Sequence, residues 1–217
     1  MDETGSSSRN TGPHLTTQRF SDEELMLQVR NGAAEGLGVL FDRYQTPLFN
    51  FYLRLTGQRS LSEDLVQEVF LRVLKYRRSY SPGHPFRAWV YRIARNARTD
   101  HLRKQHPQVP FEPEMSPTVQ PEDPARHQES VLLDRALMQL PEEKRELLVL
   151  SRLQELKHEE IAGLLGCEVG TVKVRVHRAL QELKQAYQQV QSTTTGAANT
   201  PDSPGRAGRI SPRGATP

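Results

Sequence analysis

The stretch IAGLLGCEVGTVKVRVHRALQEL, residues Ile161 to Leu183, decides how the chain is to be read. Apolar residues recur at helical spacing on both sides of a break at Leu165-Gly166-Cys167-Glu168-Val169-Gly170. Gly166 suits the stop of the first helix, because glycine tolerates the left-handed conformation that ends one. Helix, short glycine-bearing turn, helix is the helix-turn-helix plan. On the second helix Val172, Val176, Ala179 and Leu183 share one face, which must be buried. Thr171, Val174, Arg175 and Arg178 point away from it, flanked by Lys173 and His177, and no acid follows until Glu182. A solvated face usually mixes its signs. An all-basic face with small residues among the cations suits the major groove of a duplex, where cations reach phosphates and guanine edges. A solvated basic face on an ordinary three-helix bundle gives the same pattern, and both readings stand at this point.

Working outward, LPEEKRELLVLSRLQEL carries Pro141 at the start of a further helix, where proline is tolerated, and the helical block spans about 129–190. Before it, residues 106–128 hold Pro107, Pro110, Pro113, Pro117, Pro121 and Pro124 and read as a semi-extended linker. Earlier still, residues 21–105 are helical. Ser21 and Glu24 have the spacing of a capping box. LGVLFDRYQTPLFNFYLRLTG, SEDLVQEVFLRVLKY and FRAWVYRIARNARTDHLRK then repeat the helical period. Gly36 and Gly38, in the helix that carries the first of these stretches, each cost about 1 kcal/mol against alanine, so a bent or weak helix is expected there. Strand-like alternation is scarce, so the fold class is all-α: two small helical domains joined by a flexible linker. Residues 1–20 and 191–217 are poor in large apolar residues and are expected to be disordered.

Composition narrows the function classes. The net charge of +3 decides little until its distribution is known. One cysteine, Cys167, allows no intramolecular disulfide and fits a reducing compartment; it reads as a small turn residue. No apolar run approaches membrane-spanning length, and the N-terminus has no apolar signal segment, so a cytoplasmic protein without membrane insertion is expected. His158, Cys167 and His177 lack the paired spacing of a zinc site. With no glycine-rich phosphate loop and no catalytic constellation, neither a metal nor a cofactor is expected, and the chain reads as a non-enzyme.

Two helices of the first block carry more specific signals. In SEDLVQEVFLRVLKY, Leu65, Val66, Val69, Phe70 and Val73 form the core side, while Asp64, Gln67, Glu68, Leu71 and Lys75 lie along the other. Solubility explains Asp64 and Glu68 alone; an acidic stripe with an outward leucine also suits docking of a basic partner. From Arg87 to Lys104 there are six Lys/Arg and one acid, Asp100, with Tyr80, Phe86, Trp89 and Tyr91 interleaved or adjacent. Cations beside aromatic platforms suit single-stranded nucleic acid. The loop Ser81-Pro82-Gly83-His84-Pro85 is stiff enough to shape a pocket for one extruded base. Trp89 and Ile93, four apart, serve equally as core.

The motifs DLVQEVFLRV, FRAWVYRIARN and LP…R…EEIAGLLGCEVGTVKVRVHRAL, in this order, resemble bacterial sigma factors of the extracytoplasmic-function (ECF) subfamily of the sigma-70 family, over about 21–105 and 129–188. The resemblance implies a sigma region 2 domain that binds the clamp helices of core RNA polymerase through Asp64, Gln67, Glu68 and Leu71. That domain would also open the minus-ten element, with Tyr80, His84, Phe86 and Trp89 around a captured base and Arg92, Arg95, Asn96 and Thr99 on the strand. It implies a sigma region 4 domain that contacts the polymerase flap and reads the duplex minus-thirty-five element through Thr171, Lys173, Val174, Arg175 and Arg178. An anti-sigma partner, one that can hold the protein at the membrane, belongs to the same implication. Four positions depart from the family pattern. Lys157 replaces a Ser or Thr cap before EEIA. Val174 stands where serine is common. Gly36 and Gly38 replace better helix formers.

Overall fold

The computed structural model describes residues 20–104 and 124–197, and among them there is no strand. The expected N-terminal tail up to residue 19, most of the proline-rich linker and the C-terminal tail beyond residue 197 lie outside the described residues.

Among the described residues the first block holds four α-helices. Helix α1, Asp22–Arg30, begins at the expected capping box: Ser21 Oγ accepts from Glu24 N at 3.2 Å and the Glu24 carboxylate accepts from Ser21 N at 2.7 Å. Its apolar face, Leu25, Met26 and Val29, is buried. Helix α2, Glu35–Thr56, stops at Gly57 with φ 69°. Gly36 is not a weak point of that helix. A Cβ built there would lie 2.9 Å from Leu25 O and 3.2 Å from Val29 Cγ2, so glycine is what lets α1 and α2 approach. Gly38 has open space around it and no such reason. Helices α3, Arg59–Tyr76, and α4, Phe86–Lys104, complete the block. Leu65, Val66, Val69, Phe70 and Val73 of α3 are buried as their spacing requires. Tyr52 of α2 ties to α4 by donating to Ala94 O at 2.9 Å. Burial of each such Leu, Val or Phe contributes about 1.5–3 kcal/mol, and this core orients α3 and α4.

The second block begins earlier than its sequence suggests. Helix α5 runs Pro124–Gln139, so its first turns lie in the stretch expected to be linker. Proline at the first helical position lacks only an N–H that would be unpaired anyway. Helix α6, Glu142–Leu148, passes into a π-helical turn, Val149–Leu153, which Gln154 N closes on Val149 O. Helix α7, His158–Leu165, ends at Gly166 with φ 64°, the left-handed stop expected from sequence. The Lys157 cap is weak as anticipated: an ammonium cannot accept, and only the reciprocal bond, Lys157 N to the Glu160 carboxylate at 2.7 Å, holds the start. Helix α8, Val169–Ala197, continues past the expected end near Val190. Tyr187 and Val190 pack in the cluster that joins α8 to α5 just before that extension.

The two blocks are docked on each other. One hydrophobic cluster runs from Leu25, Phe51 and Tyr91 of the first into Val149, Leu150, Ile161 and Val172 of the second. A smaller cluster joins α5, α6 and α8 around Leu137, Leu148 and Ala179. Arg145 fastens the junction: it donates to Leu55 O at 2.9 Å across the blocks and to Met138 O and Leu140 O at 3.0 Å within the second. Burial, and then the nearby Arg98 charge, pull its pKa down.

Candidate nucleic-acid interface

Three surfaces carry the residues singled out from sequence. The first is the outer face of α3. Asp64, Gln67 and Lys75 are exposed, and Leu71 is 64% exposed with Leu74 and Tyr76 also open. Helical spacing alone produces this, since the opposite face of α3 fills the core. Glu68 is not free: it accepts from Arg72 Nε at 2.6 Å, and Arg72 reaches on to Asp100 at 2.8 Å. The hydrogen bond from Arg72 holds the Asp100 carboxyl below its ordinary range, although burial pushes the other way.

The second surface is the loop before α4 and α4 itself. Residues 81–85 are exposed, His84 among them. Tyr80 donates to His84 O at 2.5 Å and so fixes the loop; burial pushes the Tyr80 hydroxyl up to about 12. The expected aromatic platforms are placed differently. Tyr80, Phe86 and Tyr91 are at most 1% exposed and offer no ring face to a base. Tyr80 packs edge-on against Phe86 and Trp89 at centroid distances of 6.3 and 5.3 Å, forming the floor beneath the loop. Trp89 is half-buried against the same core, so only part of its ring faces outward. Phe86 N, at the first turn of α4, donates to Glu23 Oε1 at 2.9 Å, so α1 supplies the carboxylate that caps α4.

Asn96 and Thr99 are exposed and line an open cleft with Arg72, Tyr76, Ile93, Asp100 and Arg103. Tyr76, 46% exposed, is the ring that this cleft presents, with Lys75 Nζ 5.4 Å from its centroid. Sequence reading missed Tyr76, Arg72 and Arg103 as neighbours of Asn96. The available signal was the continuation of the exposed α3 stripe beyond Leu71.

The cationic row of α4 turns the other way, toward the second block. Arg92 Nη2 lies 3.3 Å from Gly163 O. Arg95 grips Glu146 with Nε and Nη2 at 2.8 and 3.3 Å, and donates from Nη1 to Leu164 O at 3.0 Å. Arg98, 8% exposed, donates to Glu142 Oε1 at 2.6 Å. On the far side of this seam Tyr91 donates to Gln154 Oε1.

The third surface is the N-terminal half of α8. Val172, Val176 and Ala179 are buried, while Lys173, Val174, Arg175, His177 and Arg178 are exposed and Thr171 is half-buried. Val174, 50% exposed, places an isopropyl group among cations. The face is open, cationic and free of acids, which is what a helix lying in a major groove requires. Among the described residues no group of His, Cys, Asp or Glu is placed to hold a metal ion, and no helix is long and apolar enough to cross a membrane.

Comparison with known proteins gives matches along both blocks. A family model described as Sigma-70 region 2 matches residues 40–107, and one described as Sigma-70, region 4 matches residues 130–183. The ECF RNA polymerase sigma factor SigW of Bacillus subtilis is 30% identical over 172 residues, 73% of this chain and 92% of the relative. Among solved structures, that of CnrH in complex with the cytosolic domain of CnrY is similar with a TM-score of 0.59 at 23% identity, over 82% of this chain and 99% of that one. The sigma factor RpoE in complex with the anti-sigma factor NepR from Bartonella quintana is similar with a TM-score of 0.54 at 23% identity, over 70% of this chain and 96% of that one. These two likenesses concern the fold.

Proposed function

The chain belongs to the ECF sigma factors of the sigma-70 family, and we propose from that membership how its surfaces divide the work of initiating transcription. The α3 stripe, Asp64, Gln67, Glu68 and Leu71, docks on the clamp helices of core RNA polymerase. The fixed loop with His84 receives one base of the melted minus-ten strand, Trp89 borders it, and Asn96 and Thr99 contact the strand in the cleft beside Tyr76. Tyr80 and Phe86 shape the loop from beneath. Arg92 and Arg95 hold the strand backbone. Thr171, Lys173, Val174, Arg175 and Arg178 read the minus-thirty-five duplex while the second domain rests on the flap. The protein performs no chemistry of its own; bond formation belongs to the polymerase. It works in the cytoplasm, and an anti-sigma protein covers its polymerase-binding faces; that a similar fold was solved in complex with the anti-sigma factor NepR supports such a partner.

The observation that carries this reading is the coexistence, on one chain, of the open acidic and apolar stripe of α3 with the open cationic face of α8. A helix-turn-helix regulator acting without polymerase has no use for the stripe. The test is transcription in vitro with bacterial core polymerase and a genomic fragment library. RNA starts that share two spaced upstream elements are expected. No stimulation, together with tight sequence-specific DNA binding in the absence of polymerase, would overturn the proposal.

A further inference from the structure

Asp100 stands one turn after Asn96 on α4, on the same side of the helix, so a strand that meets Asn96 and Thr99 passes beside it. Among the described residues that line the cleft at Tyr76, it is the one acid. A carboxylate there opposes the negatively charged backbone of the strand. Two arginines answer it, in different ways. Arg103 lies 3.6 Å from Asp100 Oδ1 with its side chain 76% exposed. A pair so open contributes little, and it leaves that guanidinium able to turn to a phosphate. Arg72 is the opposite case. Its side chain is 17% exposed and bridges α3 and α4, with two nitrogens committed: Nη1 donates to Asp100 Oδ2 at 2.8 Å and Nε to Glu68 Oε1 at 2.6 Å. Glu68, four residues back on α3, fixes the planar fork from the docking stripe, so that another edge of it faces Asp100.

We propose that Arg72 is a positioning residue for strand capture: held by Glu68, it occupies Asp100 and keeps the one carboxylate of the cleft from repelling the strand, while Arg103 stays available to a phosphate. The proposal deepens the proposed function and rests on its assignment of Asn96 and Thr99 to the minus-ten strand. Arg72 acts through Asp100 and does not itself touch the strand. The side chain that prepares the DNA cleft is thus anchored on a residue of the polymerase-docking stripe, and the two surfaces share one guanidinium.

The test is fluorescence anisotropy of the holoenzyme, formed from the full chain and saturating bacterial core polymerase, so that changes in docking drop out. The probe is a fragment of a promoter mapped with the wild-type chain. It carries the minus-ten region as labelled non-template single strand and lacks the minus-thirty-five element, so that α8 adds nothing. Arg72→Met keeps the stem and removes the guanidinium; its Kd is expected to be about fivefold higher than that of wild type, the effect of one like charge beside a phosphate. Adding Asp100→Asn is expected to bring the Kd to within about twofold of Asp100→Asn alone, because the two residues act as one unit. Adding Glu159→Gln instead makes the same change in net charge at an exposed acid outside the cleft and should leave the loss in place. Rescue by the first and not by the second separates charge masking from a merely structural role and from direct contact of Arg72 with the strand. No loss in Arg72→Met, or a loss that Asp100→Asn leaves in place, would overturn the proposal. Should Arg72→Met fail to fold, Arg72→Lys decides on the same criterion, since an ammonium cannot span both carboxylates as the planar fork does. A wild-type chain that directs no transcription starts refutes the sigma assignment and the proposal with it, whereas wild-type binding without rescue refutes the proposal alone.

Discussion

Gly36 and Gly38 make a paired experiment whose signs are opposite. Replacing either by alanine removes backbone freedom from the unfolded chain and favours helix by about 0.5–1 kcal/mol. At Gly38 nothing lies within 4 Å of the new methyl, so that gain stands. At Gly36 the methyl lies 2.9 Å from Leu25 O and 3.2 Å from Val29 Cγ2. Leu25 O belongs to the backbone of a helix whose apolar side chains are fully packed, so relief requires α1 to shift as a unit. Overpacking of this kind costs about 1–3 kcal/mol. Gly36→Ala is therefore expected to lose about 0.5–2 kcal/mol net, while Gly38→Ala gains up to about 1 kcal/mol. Urea unfolding followed by circular dichroism reads both, with unchanged m-values certifying that the change lies in stability. A Gly36→Ala variant as stable as Gly38→Ala would refute the close-approach argument. A shift of α1 also moves Glu23 away from the α4 N-terminus, so weaker strand capture on polymerase should accompany the loss in the Gly36 variant alone.

Two further outcomes are expected. Leu71→Glu, at a residue 64% exposed, should change stability by less than about 0.5 kcal/mol yet weaken competition for core polymerase tenfold or more; unchanged competition would remove α3 from the docking surface. The Arg98 hydrogen bond, aided by the Arg98 and Arg145 charges and opposed by partial burial, holds Glu142 below its ordinary 4.5. A depressed carboxylate contributes stability that is present above its unfolded pKa and lost as pH falls through the folded one. The stability difference between wild type and Glu142→Gln should therefore be full at pH 7 and shrink below about pH 4.5. A difference that does not vary with pH would show that Glu142 is not held as a carboxylate by Arg98.

The parts of the fold that were legible in the sequence are those governed by local periodicity. Val172, Val176 and Ala179 predict their own burial, and with it the outward direction of Lys173, Arg175 and Arg178, because a helix offers only two faces. The Ser21–Glu24 box and the Gly166 stop are equally local. Tyr80, Phe86 and Tyr91 misled because a ring beside arginines has the same appearance in sequence whether it stacks on a base or fills the core. Only tertiary packing of α2 and α4 separates the two. Gly36 reads as a helix weakness until α1 is laid across it. The ion pairs between the blocks were invisible for the same reason: Arg98 with Glu142 and Arg95 with Glu146 are 44 and 51 residues apart and carry no periodic signature. Packing within the second block likewise joins α5 to the later turns of α8, since Tyr187 and Val190 supply contacts that composition does not forecast.

Helix α8 spans 29 residues, a rod about 43 Å long at 1.5 Å per residue. Its first turns carry the exposed cationic face proposed to read the duplex, and its last turns lie at the far end of the rod. On that reading, a probe attached at the end of the helix would travel on a stiff pointer whose pivot is the promoter. A 10° tilt of the rod in the groove would sweep its far end through about 7 Å. A reporter dye or a tethered enzyme attached there would register how the reading head sits on DNA without touching the nucleic acid, and extensions at that end can change in evolution while the residues that choose the promoter stay as they are.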